Sequence, residues 1–568
     1  MGYRVVDHIV DHLAGIGVEF IFGVDGANIE DVYDAAFYRA GITAVLAKHE
    51  FSAATMADGY SRGGSGLGVV IATSGGGALN TVPALGESLA SRVPVLALIG
   101  QPPTALDGQG AFQDTSGRNG ALDAHALFST VSVHCRRVLA PDGILTALPA
   151  AIAAARTLRG PSVLLLPKNI QQSVVAFNGG ADTGRWSDVR PGDPQAIARA
   201  LRRTAGPVTI IAGEQVARDD ARGELEALRA VVRARVATVP DGKDVAGTPG
   251  LGSSSALGVT GVMGNPSIAA AVADSGLCLL VGTRMSVTAR AGLDDALASV
   301  PVFSIGSAPP YLACTHIHTD DLRGTLSTLT AALSGSGRPP HVRVPDAVTR
   351  TELRPPAHHG PGIRYRDAMA ALDAALPDGV DIVVDAGNIG AAAIHHLPAR
   401  RGGRFIAALG MGGMGYSFGA GIGMCFGRGR RTVVIAGDGS FLMHGMEIHT
   451  AREYGLPVTF LLFDNHAHAM CATREQLFYG GRYSYNRFGP SRLGAGLGAM
   501  FPGLPATDVD DIASLPAALI AALETDGPAV VSAECCADEV PPFSAFLDGP
   551  VSKSSVAEEI QHHVAIRT

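Results

Sequence analysis

At 568 residues the chain is too long for one hydrophobic core and suits three domains of about 150 to 190 residues each. Hydrophobic residues make up 47% and charged residues 17%, and no run of about 18 uninterrupted apolar residues offers a membrane span. A formal charge of −8 and a pI near 6.1, with no basic cluster, argue against a nucleic-acid partner.

The opening MGYRVVDHIVDHL has acidic and histidine residues where a signal peptide needs an apolar run, and Val6 stands where a myristoylation signal needs Ser or Thr, so the cytoplasm is expected. SVLLLP leads into a polar linker over residues 177–194, rich in Gly, Asp and Arg. PVTIIAG, CLLVGTR and PVFSIG then read as short strands separated by helical segments, and a second, proline-bearing linker covers residues 334–362. RTVVIAG and LPVTFLLF are apolar, β-branched runs of the kind that form buried parallel strands. GPAVVSAECCA, residues 527–537, is expected to close the last sheet, with Cys535 and Cys536 in the core. Seven cysteines without CxxC spacing give neither a zinc site nor a disulfide framework. The expectation is an α/β protein with three doubly wound parallel sheets, in domains spanning 1–176, 195–333 and 363–540, and a tail over 541–568 that packs over the active site.

Asp438 and Asn465 stand twenty-seven residues apart, each at the end of one of the two apolar runs just named. The sequence between them holds one helix, with Met443, Met446 and Ala451 loosely on one side and Gly455-Leu456-Pro457 at its end. In such a βαβ unit the strands run parallel and their carboxyl ends lie side by side, so Asp438 and Asn465 converge. A carboxylate and an amide carbonyl are hard oxygen ligands, suited to magnesium shared with substrate phosphates. Gly437 and Gly439 let backbone approach those phosphates, and a helix starting at Ser440 aims N–H groups at them. GDG alone is weak evidence in a chain with 72 glycines; its pairing with the downstream Asn is stronger.

This pairing resembles the cofactor motif of thiamine-diphosphate enzymes, in which the Asp, the final Asn and a backbone carbonyl two residues later hold the metal. Here those positions are Asp438, Asn465 and Ala467, and Asp464 replaces the first Asn of the usual Asn-Asn pair without removing a ligand. LAKHEFSAATMADGYSR, residues 46–62, and IATSGGGALN, residues 71–80, resemble the family's HE, ADGYAR and TSGPG segments in order and spacing. By that resemblance Glu50 contacts the aminopyrimidine ring and Asn80 lies at the cofactor, although an isolated Glu opening a helix is usually just exposed. The family places this Glu on one subunit and the diphosphate site on its neighbour, which implies a homodimer or homotetramer with the active site at the subunit interface. Within the family the chain is most similar to the large subunit of acetohydroxyacid (acetolactate) synthase. AFQD at 111–114, LLLPKN at 164–169, GMGGMGY at 410–416 and LFYGGRYS at 477–484 carry that similarity across residues 3–530.

The resemblance implies a chemistry. Glu50 would hydrogen-bond a pyrimidine nitrogen, and Met414 would prop the cofactor in its bent shape. Gln113 and Phe112 match pocket residues, with Gln113 able to bind the oxygens of a 2-oxo acid donor, and Lys168 matches a residue near the substrate channel. Met470 is retained. Relatives that release an aldehyde carry an acid six residues beyond the metal Asn, and Cys471 stands there, so ligation onto a second carbonyl compound is favoured. Thr288 replaces the Arg that holds the acceptor's carboxylate in the synthase, with Arg290 a candidate stand-in two residues on. Arg474 replaces the acceptor-selecting Trp, facing either an anionic or polyol acceptor or an ion pair with Glu475 or Asp464. GVTGVMG at 258–264 faintly resembles a flavin-binding segment, but the DDR that follows in the synthase is lost, which leaves FAD open beside thiamine diphosphate and Mg2+. His466 and His468 are read as solvated loop residues without a role. The alternatives are a non-oxidative 2-oxo-acid decarboxylase or C–C lyase and, from another class, a catalytically silent regulatory homologue.

Overall fold

The computed structural model describes residues 3–175, 190–246, 256–334 and 349–547, so most of the tail and the first part of each linker lie outside the described residues. The first sheet comprises β1 (Phe20–Val24), β2 (Thr43–Leu46), β3 (Gly68–Ala72), β4 (Val95–Gln101), β5 (His134–Arg137) and β6 (Pro161–Pro167), in the order β2-β1-β3-β4-β6-β5. The second comprises β7 (Val208–Ala212), β8 (Arg235–Thr238), β9 (Ala256–Val259), β10 (Leu277–Val281), β11 (Val302–Gly306) and β12 (Thr315–His318), in the order β12-β11-β10-β7-β8-β9. The third comprises β13 (Asp381–Val384), β14 (Phe405–Ala407), β15 (Thr432–Gly437), β16 (Val458–Asp464), β17 (Ala506–Val509) and β18 (Ala529–Glu534), in the order β14-β13-β15-β16-β18-β17. All pairings among these described strands are parallel, as expected for apolar runs such as β4 and β6 that are buried along their whole length.

The first and third sheets share one topology, and each reverses strand order next to its first strand. Doubly wound sheets bind ligands at the carboxyl ends of the strands flanking that reversal, which here means β1/β3 and β13/β15. Two helices lock these sheets together: α1 (Glu50–Arg62), and, beyond α2 (Gly76–Ala90), α3 (Tyr416–Arg428). Every α1 residue after Glu50 is buried. Glycines let the two helices touch backbone to backbone, since a Cβ on Gly59 would lie 2.1 Å from the Ala420 carbonyl oxygen and one on Gly423 would lie 2.0 Å from that of Met56. Overpacking such a contact costs about 1–3 kcal/mol. Gly59→Val is therefore expected to lower the melting temperature clearly, whereas Gly15→Ala, with open space around its Cβ, should leave it unchanged or slightly raised; thermal unfolding followed by circular dichroism checks both.

Three sequence expectations need correction. The segment between β15 and β16 is not one helix. It runs as α4 (Asp438–His444), a 3₁₀ turn (Gly445–Glu447) and a second helix (Ile448–Glu453). The Phe441 ring lies 2.1 Å from where a Gly445 Cβ would be, and Glu447 turns inward to accept from the Lys48 backbone N–H at 3.0 Å, which ends the first helix. Met443 and Met446 are consequently 50% and 42% exposed while Ala451 is fully buried, so the three share no face. Second, the helix starts at Asp438, two residues before Ser440. Third, β18 lies inside the sheet, with the more polar β17 at its edge, and ends before Cys535 and Cys536, of which only Cys535 is buried.

Candidate active site

The carboxyl ends of β13, β15 and β16 enclose a small pocket that brings together Met414, Gly437, Asp438, Gly439, Ser440, Asn465, Ala467, Met470 and Cys471. Asp438 is 2% exposed and opens α4. Its Oδ2 accepts from the Ala467 N–H at 3.0 Å, and its buried Oδ1 has no hydrogen-bond partner among the described residues. An orphaned carboxylate oxygen at this depth is costly unless a cation satisfies it. Burial, and then the neighbouring Asp464 carboxylate, push the Asp438 carboxyl up to about 7. Asn465 directs its Oδ1 to the Ala467 N–H at 3.1 Å while its Nδ2 faces the buried Tyr365 hydroxyl at 3.4 Å, which fixes the amide's orientation. Two hard oxygens thus face one pocket.

Glycines shape the cradle. A Cβ on Gly439 would meet the His468 ring at 2.6 Å and the Met414 Cε at 3.2 Å, so any side chain there would fill the space beside Met414. The loop bearing Met414 is clamped at both ends. Glu87 accepts from the Gly410 and Met411 N–H groups at 3.2 and 2.5 Å, and Asp385 accepts from those of Gly415 and Ser417 at 3.0 and 2.9 Å and from the Ser440 hydroxyl at 2.7 Å. Sequence reasoning found neither clamp. Each links segments far apart in the chain, and an isolated acid gives no local signal.

The first sheet presents the other half. Glu50 opens α1 behind His49, whose Nδ1 caps the helix by accepting from Phe51 N–H at 3.0 Å, and Asn80 donates from Nδ2 to the Glu50 carboxylate at 2.9 Å. Gln113 sits at φ +61°, with its Oε1 accepting from Ser74 Oγ at 3.2 Å and its stem packed on Gly75. Glu50, Asn80 and Gln113 do not line the Asp438 pocket of their own chain.

Other candidates are placed elsewhere. Phe112 is 82% exposed. Lys168 donates to Ala27 O and lies against Glu30 and Asp31, away from the pocket. Arg474 stacks over the Phe546 ring at 5.8 Å in the short helix Ser544–Leu547 and faces neither the pocket nor Glu475 or Asp464. Arg290 pairs with Asp294 at 2.9 Å and donates to Tyr311 O, so it does not replace the arginine missing at Thr288. The reading of His466 and His468 as solvated is also corrected. The His466 ring lies 3.0 Å from both Asp464 and Glu534, and the His468 ring packs edge-on against Phe488 beside Gly439.

A second crevice, of about 190 Å³, opens at the β7/β10 strand-order reversal and reaches Gly410. Arg92, Arg218 and Arg284 line it, with Arg284 stacked on Tyr311 at 4.1 Å. Burial, and then the neighbouring guanidinium of Arg218, pull Arg92 down to about 10.

Sequence comparison matches this arrangement in three segments: "Thiamine pyrophosphate enzyme, N-terminal TPP binding domain" at 3–121, the central domain at 195–309 and the C-terminal TPP binding domain at 385–533. A probable acetolactate synthase large subunit from Methanocaldococcus jannaschii is 30% identical over 514 residues, which is 85% of this chain and 84% of the relative. The chain belongs to the thiamine pyrophosphate enzyme family. Within that family it is of the acetolactate synthase large-subunit type. The acetolactate synthase isozyme 2 large subunit of Escherichia coli is 28% identical, with 92% of this chain and 93% of the relative covered. Acetolactate synthase, chloroplastic, from Arabidopsis thaliana is 27% identical, with 93% and 81% covered. Thiamine pyrophosphate enzymes owe their name to a diphosphate-bearing cofactor, and the orphaned Asp438 oxygen, the glycine cradle and the neighbouring amide suit a cation and diphosphate at this corner. No described helix is long and apolar enough to cross a membrane.

Proposed function

We propose that this protein is a thiamine-diphosphate- and Mg2+-dependent carboligase that decarboxylates pyruvate or a similar 2-oxo acid and transfers the acyl unit to a second carbonyl compound. The observation that carries this reading is the convergence of an unpartnered, buried Asp438 oxygen with Asn465 and Ala467 beside Met414. When bound, thiamine diphosphate supplies the electron sink needed to break the bond between a 2-oxo acid's carboxylate and its carbonyl carbon.

Asp438 Oδ1, Asn465 Oδ1 and the Ala467 carbonyl would hold the metal, and Gly437, Gly439 and Ser440 would line the diphosphate. Met414, braced by Asp385 and Glu87, would support the cofactor's bend. Glu50, oriented by Asn80, would hold a proton at the pyrimidine nitrogen, and Gln113 would orient the donor's oxygens.

Glu50 stands outside its own chain's pocket, so a second copy is taken to supply it. Leu442, Met443 and Met446, just after the pocket residue Ser440 in sequence, and Met411, three residues before Met414, are exposed by 62%, 50%, 42% and 63%, apolar side chains that such a copy would cover. A homodimer is then the smallest active unit, and a homotetramer is a pair of them.

Cys471 lines the pocket as a thiol where a proton-donating acid would favour aldehyde release, which supports ligation over simple decarboxylation. Arg290 and Arg474 are both engaged elsewhere, which supports an acceptor other than the usual branched-chain precursor. The arginine-lined crevice suits the phosphates of a nucleotide-type group such as FAD, and the visible absorbance of the purified protein decides that point. NMR of labelled pyruvate with a panel of aldehydes and 2-oxo acids tests the function. Ligation products consuming most of the released acyl unit are expected; stoichiometric free aldehyde whatever the acceptor would replace this reading with its rival, a non-oxidative decarboxylase.

A further inference from the structure

The metal-loop strand β16 ends in Asp464, a carboxylate immediately before Asn465. Asp464 is 2% exposed, and its ligand atoms, those of Asp438 and those of His466 lie within 4.8 Å of one another. Two carboxylates are therefore buried together where an anionic diphosphate is to bind. Like charges at this range raise the cost of holding both ionised.

Three features hold Asp464 and its loop in place. His466 has one ring nitrogen 3.0 Å from Asp464 Oδ1 and the other 3.0 Å from Glu534 Oε1, so its imidazole is wedged between two acids. Ser491 donates its hydroxyl to Asp464 Oδ2 at 2.7 Å. The loop around them is pinned by Phe488 N–H donating to His466 O at 2.6 Å, His468 N–H donating to Asn486 O at 2.8 Å, and a bridge between Ala467 and Arg487. His466 itself adopts φ +53°, a left-handed conformation that its loop must impose.

We infer that His466, anchored by Glu534, is a positioning residue whose ring, packed 3.0 Å from Asp464, holds that carboxylate aside from the pocket meant for the cation and diphosphate, leaving Asp438, Asn465 and Ala467 as the ligand set. This rests on the proposed thiamine-diphosphate site. Without the ring, Asp464 keeps only Ser491 and the loop N–H. With that contact gone, the Asp464 carboxylate could turn toward the pocket, where its oxygen would compete for the metal. Groups that orient and balance metal ligands in this way are worth about 10- to 100-fold in affinity.

The test is a double-mutant cycle read by calorimetric titration of thiamine diphosphate at saturating Mg2+, without substrate. His466→Asn is the variant of choice because Asn tolerates the left-handed backbone. It is expected to weaken binding about 10- to 100-fold, with Glu534→Gln weakening it less. Asp464→Asn removes the competing carboxylate that His466 holds aside, so it should bind as well as wild type and restore His466→Asn to near wild-type affinity. A merely structural histidine would leave the double variant as weak as the single one, and that result, or unchanged binding by His466→Asn, overturns the inference. Failure of the wild-type protein to bind thiamine diphosphate would instead strike the proposed function.

Discussion

Glu50→Gln is expected to lower kcat by about 10²- to 10⁴-fold, the usual worth of a positioned acid–base group, with the fold and the oligomer unchanged. The argument is geometric. Asn80 fixes one carboxylate oxygen of Glu50 at 2.9 Å, and the residue opens a helix whose cap is made by His49, so glutamine fits the same space and keeps both the cap and the Asn80 contact. What it loses is the ability to hold a proton and pass it to a ring nitrogen. A fall in kcat with little change in the donor's KM is the expected pattern, because the contact matters at the reacting cofactor rather than at the substrate. Full activity would exclude the proposed chemistry. A wild type as inactive as the variant would instead revive the silent-homologue alternative.

Asp438→Asn is expected to abolish thiamine diphosphate binding at any practical Mg2+ concentration and with it all turnover. The variant removes the one anionic ligand of the set while leaving the acceptor for the Ala467 N–H. It carries an opposite consequence for stability. Folding raises the Asp438 carboxyl from 3.8 to about 7, so the neutral acid is the form the apo fold tolerates. A raised acid contributes its stability below its unfolded pKa and loses it as pH climbs through the folded one. Above about pH 7 the metal-free wild type therefore carries a buried, uncompensated charge that the Asn variant lacks. Melting in the presence of a chelator should find the inactive variant equal or superior in stability above that pH, a trade of stability for function that strained sites show. A variant that melts far below wild type at every pH would mean Asp438 is a structural residue.

The parts of this site legible in the sequence are those with a local signature. β15 and β16 announce themselves as β-branched apolar runs, and the parallel pairing of Gly437 with Phe463 sets Asp438 beside the end of β16, as the spacing to Asn465 required. Contacts made across the fold were not legible. The Phe441 ring against Gly445 and the inward Glu447 break a helix whose periodicity reads as continuous. β17 is a four-residue edge strand, ATDV, with too little apolar pattern to stand out from a loop. Arg474 turns to Phe546, a partner 72 residues away in sequence, rather than to any charge nearby. His466 looks like a solvated loop residue until Glu534 is brought to its other face by the adjacent strand β18.

Release of carbon dioxide from carboxyl-labelled pyruvate, by protein stripped of metal and then titrated with Mg2+ and thiamine diphosphate together and separately, tests the central claim most directly. The account predicts decarboxylation that requires both additions, is lost in Glu50→Gln and Asp438→Asn, and accelerates when an accepting carbonyl compound is present. Tight cofactor binding without decarboxylation of pyruvate or any other 2-oxo acid offered, or decarboxylation indifferent to the cofactor, would contradict it.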